Sequence, residues 1–564
     1  MKKKLLLPLL LTMTCAFALI MTGCGEKESA VSDDLKVKCH NGVMVGQEEN
    51  GVVSFLGVPY AEPPTGELRW KAPVAAAESS EEIICDEFGY TALQYEWPTE
   101  PASYEEKSED CLTLNIWKGK DAGDDPKAVM VWFHGGSHSW GGTADPTYDG
   151  QNFVEAHPDV ILVTANYRLG LMAWPDFSNF PGGEDYTDIN LGIRDNIMAL
   201  EWVQQNIEAF GGDPDNVTIF GESAGGGSAI ALLMSPMAEG LFNKVIAESG
   251  STATAADGVF NCVTAESGSV GPYISSREDA QEYAEAIAEA AGCETMDELL
   301  EVTGDEWIEL DWDNELGDIS CGLVADGEVI PYPEDMDEAL KAAAERGIVI
   351  MHGTNEDEWN YFMTDSFGDT DEEKFESWKS DLDDMWNGRY ELASDDQKAM
   401  MDEFYELAAS KVDEDYAKDA DVKDALIKSA FRTEQWRYSH IQLAEVYDKY
   451  GGEQYMYLWT VPSTLDEYYK SACHAIELAF VFNNLEDTSY TGDAPDEATA
   501  ERTLTAWTNF AKTGNPSIED AEWPAYDSTD RNTMVISLDG WKAESDPNSR
   551  ERELVYGVLG SLYR

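Results

Sequence analysis

The sequence predicts an α/β protein built on a large, mostly parallel central sheet, flanked by helices and carrying helical cap insertions. Three observations lead there. Short, nearly continuous apolar runs recur at Ala128–Phe133, Val160–Thr164, Val217–Phe220, Ile348–Met351 and Tyr455–Trp459, the pattern of strands covered on both faces. Between two of them, Ile193, Ile197, Leu200, Val203, Ile207 and Phe210 recur at spacings of three and four, which is one apolar stripe of a helix. Strand and helix then alternate, as in proteins whose parallel strands are joined by helical crossovers.

From the N-terminus, Met1-Lys-Lys-Lys4 precedes an apolar run from Leu5 to Met21, which reads as an export signal over residues 1–23. Its end, Met21-Thr-Gly-Cys24, resembles the lipobox of bacterial lipoproteins, so lipidation of Cys24 and membrane attachment through that lipid are expected. Residues 24–36 are polar and read as a tether. The remainder, residues 37–564, shows no second linker, repeat or heptad and is expected to form a single domain. The Val160 and Val217 strands are bridged by the helix ending near Phe210, which Gly211-Gly212 stops before Asp213-Pro214 turns the chain. The acidic stretches Glu278 to Ala291 and Asp371 to Lys411 are expected to be cap helices, their charges facing solvent.

With 43% hydrophobic residues in 564, the chain can bury a large core, and its formal charge of -73 leaves carboxylates dominating the surface. Such a surface excludes nucleic acid as a partner, because that binding needs clustered Lys and Arg. It also attracts anionic substrates weakly. Cysteines and histidines show no zinc spacing, so no metal is expected.

The chemistry centres on Gly221-Glu-Ser-Ala-Gly225. A G-x-S-x-G string has only three fixed positions, and its setting after a strand and before small helix formers is what makes it a nucleophile elbow. The sharp turn leaves no room for a Cβ two residues either side of Ser223, and it puts that hydroxyl at a helix N-terminus, where the peptide dipoles favour negative charge. A serine needs a base. The histidines after Ser223 are His352, His440 and His474; His440 falls in a helical stretch, His352 ends an apolar strand beside Asn355-Glu-Asp-Glu358, and His474 lies in a connection. His134 and His138 lack carboxylate partners at ligand spacing.

Glu109-Asp-Cys-Leu-Thr-Leu-Asn-Ile-Trp117, Asn166-Tyr-Arg-Leu-Gly170, Phe210-Gly-Gly-Asp-Pro214, Gly221-Glu-Ser-Ala-Gly225, Asn355-Glu-Asp-Glu358, His474-Ala-Ile-Glu-Leu-Ala-Phe-Val-Phe482 and Trp507 to Pro516 resemble, in order, the landmarks of the type-B carboxylesterase family. That family includes cholinesterases and bacterial p-nitrobenzyl esterases. The resemblance implies an α/β-hydrolase fold and a cofactor-free serine esterase that hydrolyses small-molecule carboxylic esters through an acyl-enzyme. It implies Ser223 as nucleophile, His474 as base and Glu358 as acid, the last residue of the family's N-x-D-E string, although Trp359 stands where glycine usually follows. Phe133-His-Gly-Gly-Ser-His138 resembles the family's H-G-G-G loop, so the oxyanion donors are expected to be the N–H groups of Gly136, Ser137 and Ala224. Ser137 replaces the third glycine and is expected to narrow the pocket or constrain the loop. Glu222 and Ser249 are expected just behind the reacting groups. The family pairs the cysteine of E-D-C-L with one upstream, which implies a bridge between Cys111 and Cys85. No tryptophan matches the one that cholinesterases stack on choline. Two other activities fit the same residues: an inactive cholinesterase-like binding protein, which would have no need of all three, and an amidase or acyltransferase.

Overall fold

The computed structural model describes residues 35–94, 106–123, 125–250, 253–254, 273–309, 321–364, 366, 368, 370–486, 489–492 and 495–559. The export signal, Cys24 and most of the tether lie outside them. Among the described residues the largest sheet has eleven strands: β1 (Gln47–Glu49), β2 (Val52–Pro59), β3 (Thr113–Gly119), β4 (Lys127–Phe133), β5 (Val160–Ala165), β6 (Gly212–Glu222), β7 (Lys244–Glu248), β8 (Val349–Asn355), β9 (Gln454–Trp459), β10 (Asn532–Ser537) and β11 (Gly540–Ser545). Their order is β11-β10-β9-β8-β7-β6-β4-β5-β3-β2-β1. From β5 to β10 every neighbouring pair is parallel, and both edges finish antiparallel.

Alternate residues of the central strands feed two separate cores. Val129, Val131 and Phe133 of β4 belong to one, with Val217, Ile219, Val245 and Ile350. Met130 and Trp132 belong to the other, with Phe220, Ile246 and Met351. This is why the strands are apolar throughout instead of alternating. Helices α1 (Leu191–Asn206) and α2 (Ala224–Met234) cover the first face, and a helix at Glu497–Thr513 covers the second through Leu504, Trp507 and Phe510.

The expected helical stripe is buried through Phe210, its last turn tightening to 3₁₀ before Gly211 at φ +92°. One expectation is corrected: β6 starts at Gly212, not Val217, and its register shifts between those residues. The cause is local, since the Asp213 carboxylate accepts from Asp215 N–H at 3.0 Å, a side-chain turn inside the strand. The acidic stretches form α3 (Arg277–Ala290), α4 (Asp371–Leu392) and α5 (Asp395–Ala409). The last two pack with α6 (Ala420–Lys449) around Trp378, Trp386, Phe404 and Phe431.

The position of the site follows from the strand order. After β4 the chain steps to β5 on one side, then returns to lay β6 on the other, a topological switch point, where α/β sheets open a crevice beyond their strand carboxyl ends. β4 ends at the glycine loop, β6 at Ser223, β7 at Ser249 and β8 at the acid string.

Candidate active site

Ser223 has φ +55° and ψ -122°, a conformation side chains other than glycine avoid. Two hydrogen bonds and two glycines impose it. Its N–H donates to the Glu248 carbonyl at 2.9 Å, and its own carbonyl accepts from Gly227 at 2.9 Å as α2 begins. The glycines close the turn: a Cβ at Gly225 would stand 1.9 Å from the Phe133 carbonyl oxygen, and one at Gly221 2.5 Å from the Gly225 carbonyl carbon. A further close approach, between Gly226 and Gly250, joins this helix to the segment after β7, since a Cβ on Gly226 would lie 2.8 Å from the Gly250 Cα.

Glu358 and His474 are in direct contact, with Nδ1 2.6 Å from Oε2. The other carboxylate oxygen accepts from the Ser249 hydroxyl at 2.5 Å and from Asn355 N–H at 2.7 Å. Both side chains of the pair are buried. Asp357, one residue earlier, instead accepts from Ala472 N–H at 3.3 Å, and burial, reinforced by Glu356, pushes its carboxyl up to about 7. Trp359 has no positive φ that would call for glycine. It belongs to the 3₁₀ helix Glu358–Met363, its ring 4.4 Å from Phe362 and 5.7 Å from Trp436.

His474 Nε2 lies 3.1 Å from Glu222 Oε1, without hydrogen-bond alignment, and makes no hydrogen bond to Ser223. Burial disfavours the charged imidazole, but the Glu222 and then the Glu358 carboxylates outweigh it and raise His474 to about 9. Glu222 is itself pushed up by burial, against the pull of His474, to about 8. Two more buried carboxyls stand nearby. Glu477 accepts from Asn355 Nδ2 at 2.6 Å and is raised by burial to about 7; Glu248 accepts from Trp507 Nε1 at 2.9 Å and is held well above the usual range by burial and then by Glu477.

The glycine loop lies against the elbow, where a Cβ on Gly135 would meet Glu222 Oε2 at 3.0 Å and the Ser223 Cβ at 3.1 Å. Gly136, Ser137 and His138 all have positive φ, of +98°, +54° and +56°. Ser137 therefore occupies a backbone region suited to glycine, a strain of about 1 kcal/mol or more. The loop is pinned on both flanks: Tyr167 donates to the His134 carbonyl at 2.6 Å, and the His138 ring lies 2.8 Å from the Ser228 hydroxyl on α2. Burial drops both histidines to about 4, so they are neutral near pH 7. Gly136, Ser137 and Ser223 stay half-exposed while His134, His138, Glu222 and Ala224 are buried, which makes the first three the reachable rim.

The structure thus brings Ser223, Glu222, Glu358, His474, Ser249 and the glycine loop to one place. It does not join Cys85 to Cys111. Both are free and buried, with Cys85 Sγ 3.8 Å from Met44 Sδ in the small sheet of Lys36–Cys39, Asn41–Val45 and Ser79–Ile84. Cys111 instead borders a cavity with Leu93, Arg69 and Met172. Sequence reasoning missed Glu248, Asn355 and Glu477 as neighbours of the site. Asn355 and Glu477 stand inside strings singled out for other residues, and Glu248 immediately precedes Ser249.

Residues 33–554 match the Carboxylesterase family. The chain is 32% identical over 536 residues to the para-nitrobenzyl esterase of Bacillus subtilis (strain 168), covering 92% of this chain and 98% of that one. It is 31% identical over 517 residues to the liver carboxylesterase of Sus scrofa, covering 84% of each. Among solved structures, a carboxylesterase of Geobacillus stearothermophilus superposes with a TM-score of 0.74 at 30% identity, covering 92% of this chain and 99% of that chain.

Proposed function

The chain belongs to the carboxylesterase family and hydrolyses carboxylic esters, and from that premise we propose that Ser223, His474 and Glu358 carry the reaction in an exported, lipid-anchored enzyme. The observation that carries the reading is the 2.6 Å contact of His474 Nδ1 with Glu358, beside a serine held at an elbow φ of +55°. Ser223 Oγ attacks the ester carbonyl as His474 Nε2 takes its proton. The carbonyl oxygen becomes an oxyanion, facing the N–H groups of Gly136, Ser137 and Ala224, where preorganised donors stabilise charge most effectively. The tetrahedral intermediate collapses, His474 returns the proton to the leaving alcohol, and the acyl group stays on Ser223. Water, deprotonated by the same imidazole, then attacks the acyl-enzyme; the carboxylic acid leaves and Ser223 regains its proton.

Glu358 fixes the tautomer that presents Nε2 as a base, and with Glu222 it favours the imidazolium formed at each attack. The acidic surface and the aromatic surroundings of His474 favour neutral esters, and the names of the relatives point to p-nitrobenzyl esters as a first substrate class. Export and attachment through Cys24 rest on the basic start, the apolar run and MTGC. Mass spectrometry of the mature N-terminus should find a diacylated Cys24, and an unprocessed Met1 would refute the anchor. For the chemistry, fluorophosphonate should label the protein and Ser223→Ala should abolish both the label and p-nitrophenyl ester hydrolysis. An undiminished Ser223→Ala protein would end the reading.

A further inference from the structure

One face of α6 grips the loop that carries the acid. Ser429 donates to Asn360 Oδ1 at 2.6 Å, Thr433 Oγ1 accepts from Trp359 N–H at 3.0 Å, and Arg437 donates to Thr354 Oγ1 and the Asn355 carbonyl, each at 3.0 Å. The spacing of four, three and one keeps these residues, with Trp436, on one side of the helix. Trp436 differs from the others in what it reaches. Its indole N–H donates at 2.9 Å to the carbonyl of Ser249, 187 residues away in sequence. Its ring also stands 5.3 Å from the His474 imidazole at an interplanar angle of 62°.

Ser249 has φ +46°, an unfavourable region for a residue with a Cβ, which persists only when the surroundings over-determine it. Two bonds do so: its N–H donates to the Gly353 carbonyl at 2.9 Å, and its carbonyl accepts from Trp436. Held this way, its hydroxyl points at Glu358 Oε1 at 2.5 Å. We propose that Trp436 is a positioning residue for the acid and base: its N–H fixes the backbone from which Ser249 aims Glu358, and its ring edge limits the swing of His474. The inference rests on the reading of Glu358 and His474 as acid and base.

The test is a double-mutant cycle on p-nitrophenyl acetate hydrolysis, with active sites titrated by fluorophosphonate and folding followed by thermal melting. Trp436→Phe keeps an aromatic ring at this position and removes the N–H. Loss of one buried hydrogen bond should lower kcat about tenfold per titrated site with KM changed by less than about twofold. Ser249→Ala keeps the carbonyl and removes the hydroxyl, with a similar loss. Because both act along one chain of contacts, the double variant should be no slower than Ser249→Ala alone. A Trp436→Phe enzyme with wild-type kcat and only a lower melting temperature overturns the inference, and so does a double variant whose loss is the product of the two. Glu358→Ala and His474→Ala separate the two levels. If both turn over at the wild-type rate, the acid and base assignment fails and takes Trp436 with it; if both are inert beside a fully active Trp436→Phe, only the role of Trp436 is removed.

Discussion

Around Ser223 the chain closes on itself over a few residues, with Gly221 and Gly225 near enough to β4 that a methyl group on either would meet backbone. Around Glu358 nothing comparable holds. Apart from the Asn355 N–H and the bond from Asn360 N–H to the Asp357 carbonyl, the loop is held by Ser249 just beyond β7, by the Trp459 carbonyl at the end of β9, by α6 and by the His474 turn, all distant in sequence. At the elbow a lack of space adds to two backbone hydrogen bonds, whereas the acid loop relies on hydrogen bonds. The two regions therefore fail differently: the first under added volume, the second under lost donors.

Four substitutions test that contrast, in descending order of effect. Ser223→Ala removes the nucleophile, and kcat should fall by about a millionfold, leaving only what binding and the oxyanion donors provide. Glu358→Gln keeps the shape of the loop but presents the wrong partner to Nδ1. A loss of about 10⁴ in kcat with an unchanged melting temperature is expected; a collapse of folding would place the acid loop in the same class as the elbow. Gly225→Ala adds a single methyl at 1.9 Å from a carbonyl oxygen, and calorimetry should show destabilisation of about 3 kcal/mol or more. A Gly225→Ala protein as stable as wild type would remove space as the elbow's determinant.

Glu222→Gln is the subtlest. His474 works as a base only when neutral, so activity appears as pH rises through its pKa, and Glu222 is the first of the carboxylates that raise that value to about 9. With the carboxylate gone, burial is less opposed, the pKa falls, and the acidic limb of kcat/KM should move to lower pH. A limb that stays put would assign the elevation to the Glu358 and Glu477 carboxylates, and one that moves upward would contradict a raising effect of Glu222.

Legibility in the sequence follows the same division. The central strands were readable because burial on both faces writes continuous apolar runs, and Ser223 because its constraint is a requirement for glycine within two residues. His474 and Glu358 needed an ordered series of motifs, since neither has a local pattern of its own. Trp436 was unreadable: a tryptophan in a helix looks like core, and the carbonyl it bonds is set by how α6 crosses the ends of β7 and β8. The Cys85 and Cys111 expectation failed for a related reason, because the resemblance supplied a pairing while the fold gives each thiol other neighbours.

The approach of Gly226 to Gly250 has a mechanical consequence. Backbone there meets backbone with no side chain between, so the helix that begins at the nucleophile and the segment that begins at Ser249 have no layer of rotamers in which to slide. Ser223 and the support of Glu358 are therefore mounted on one joint of touching backbone. Opening of the centre is then expected to require that joint to part, so heating should remove esterase activity and unfold the sheet together, and activity lost well below the melting transition would count against it.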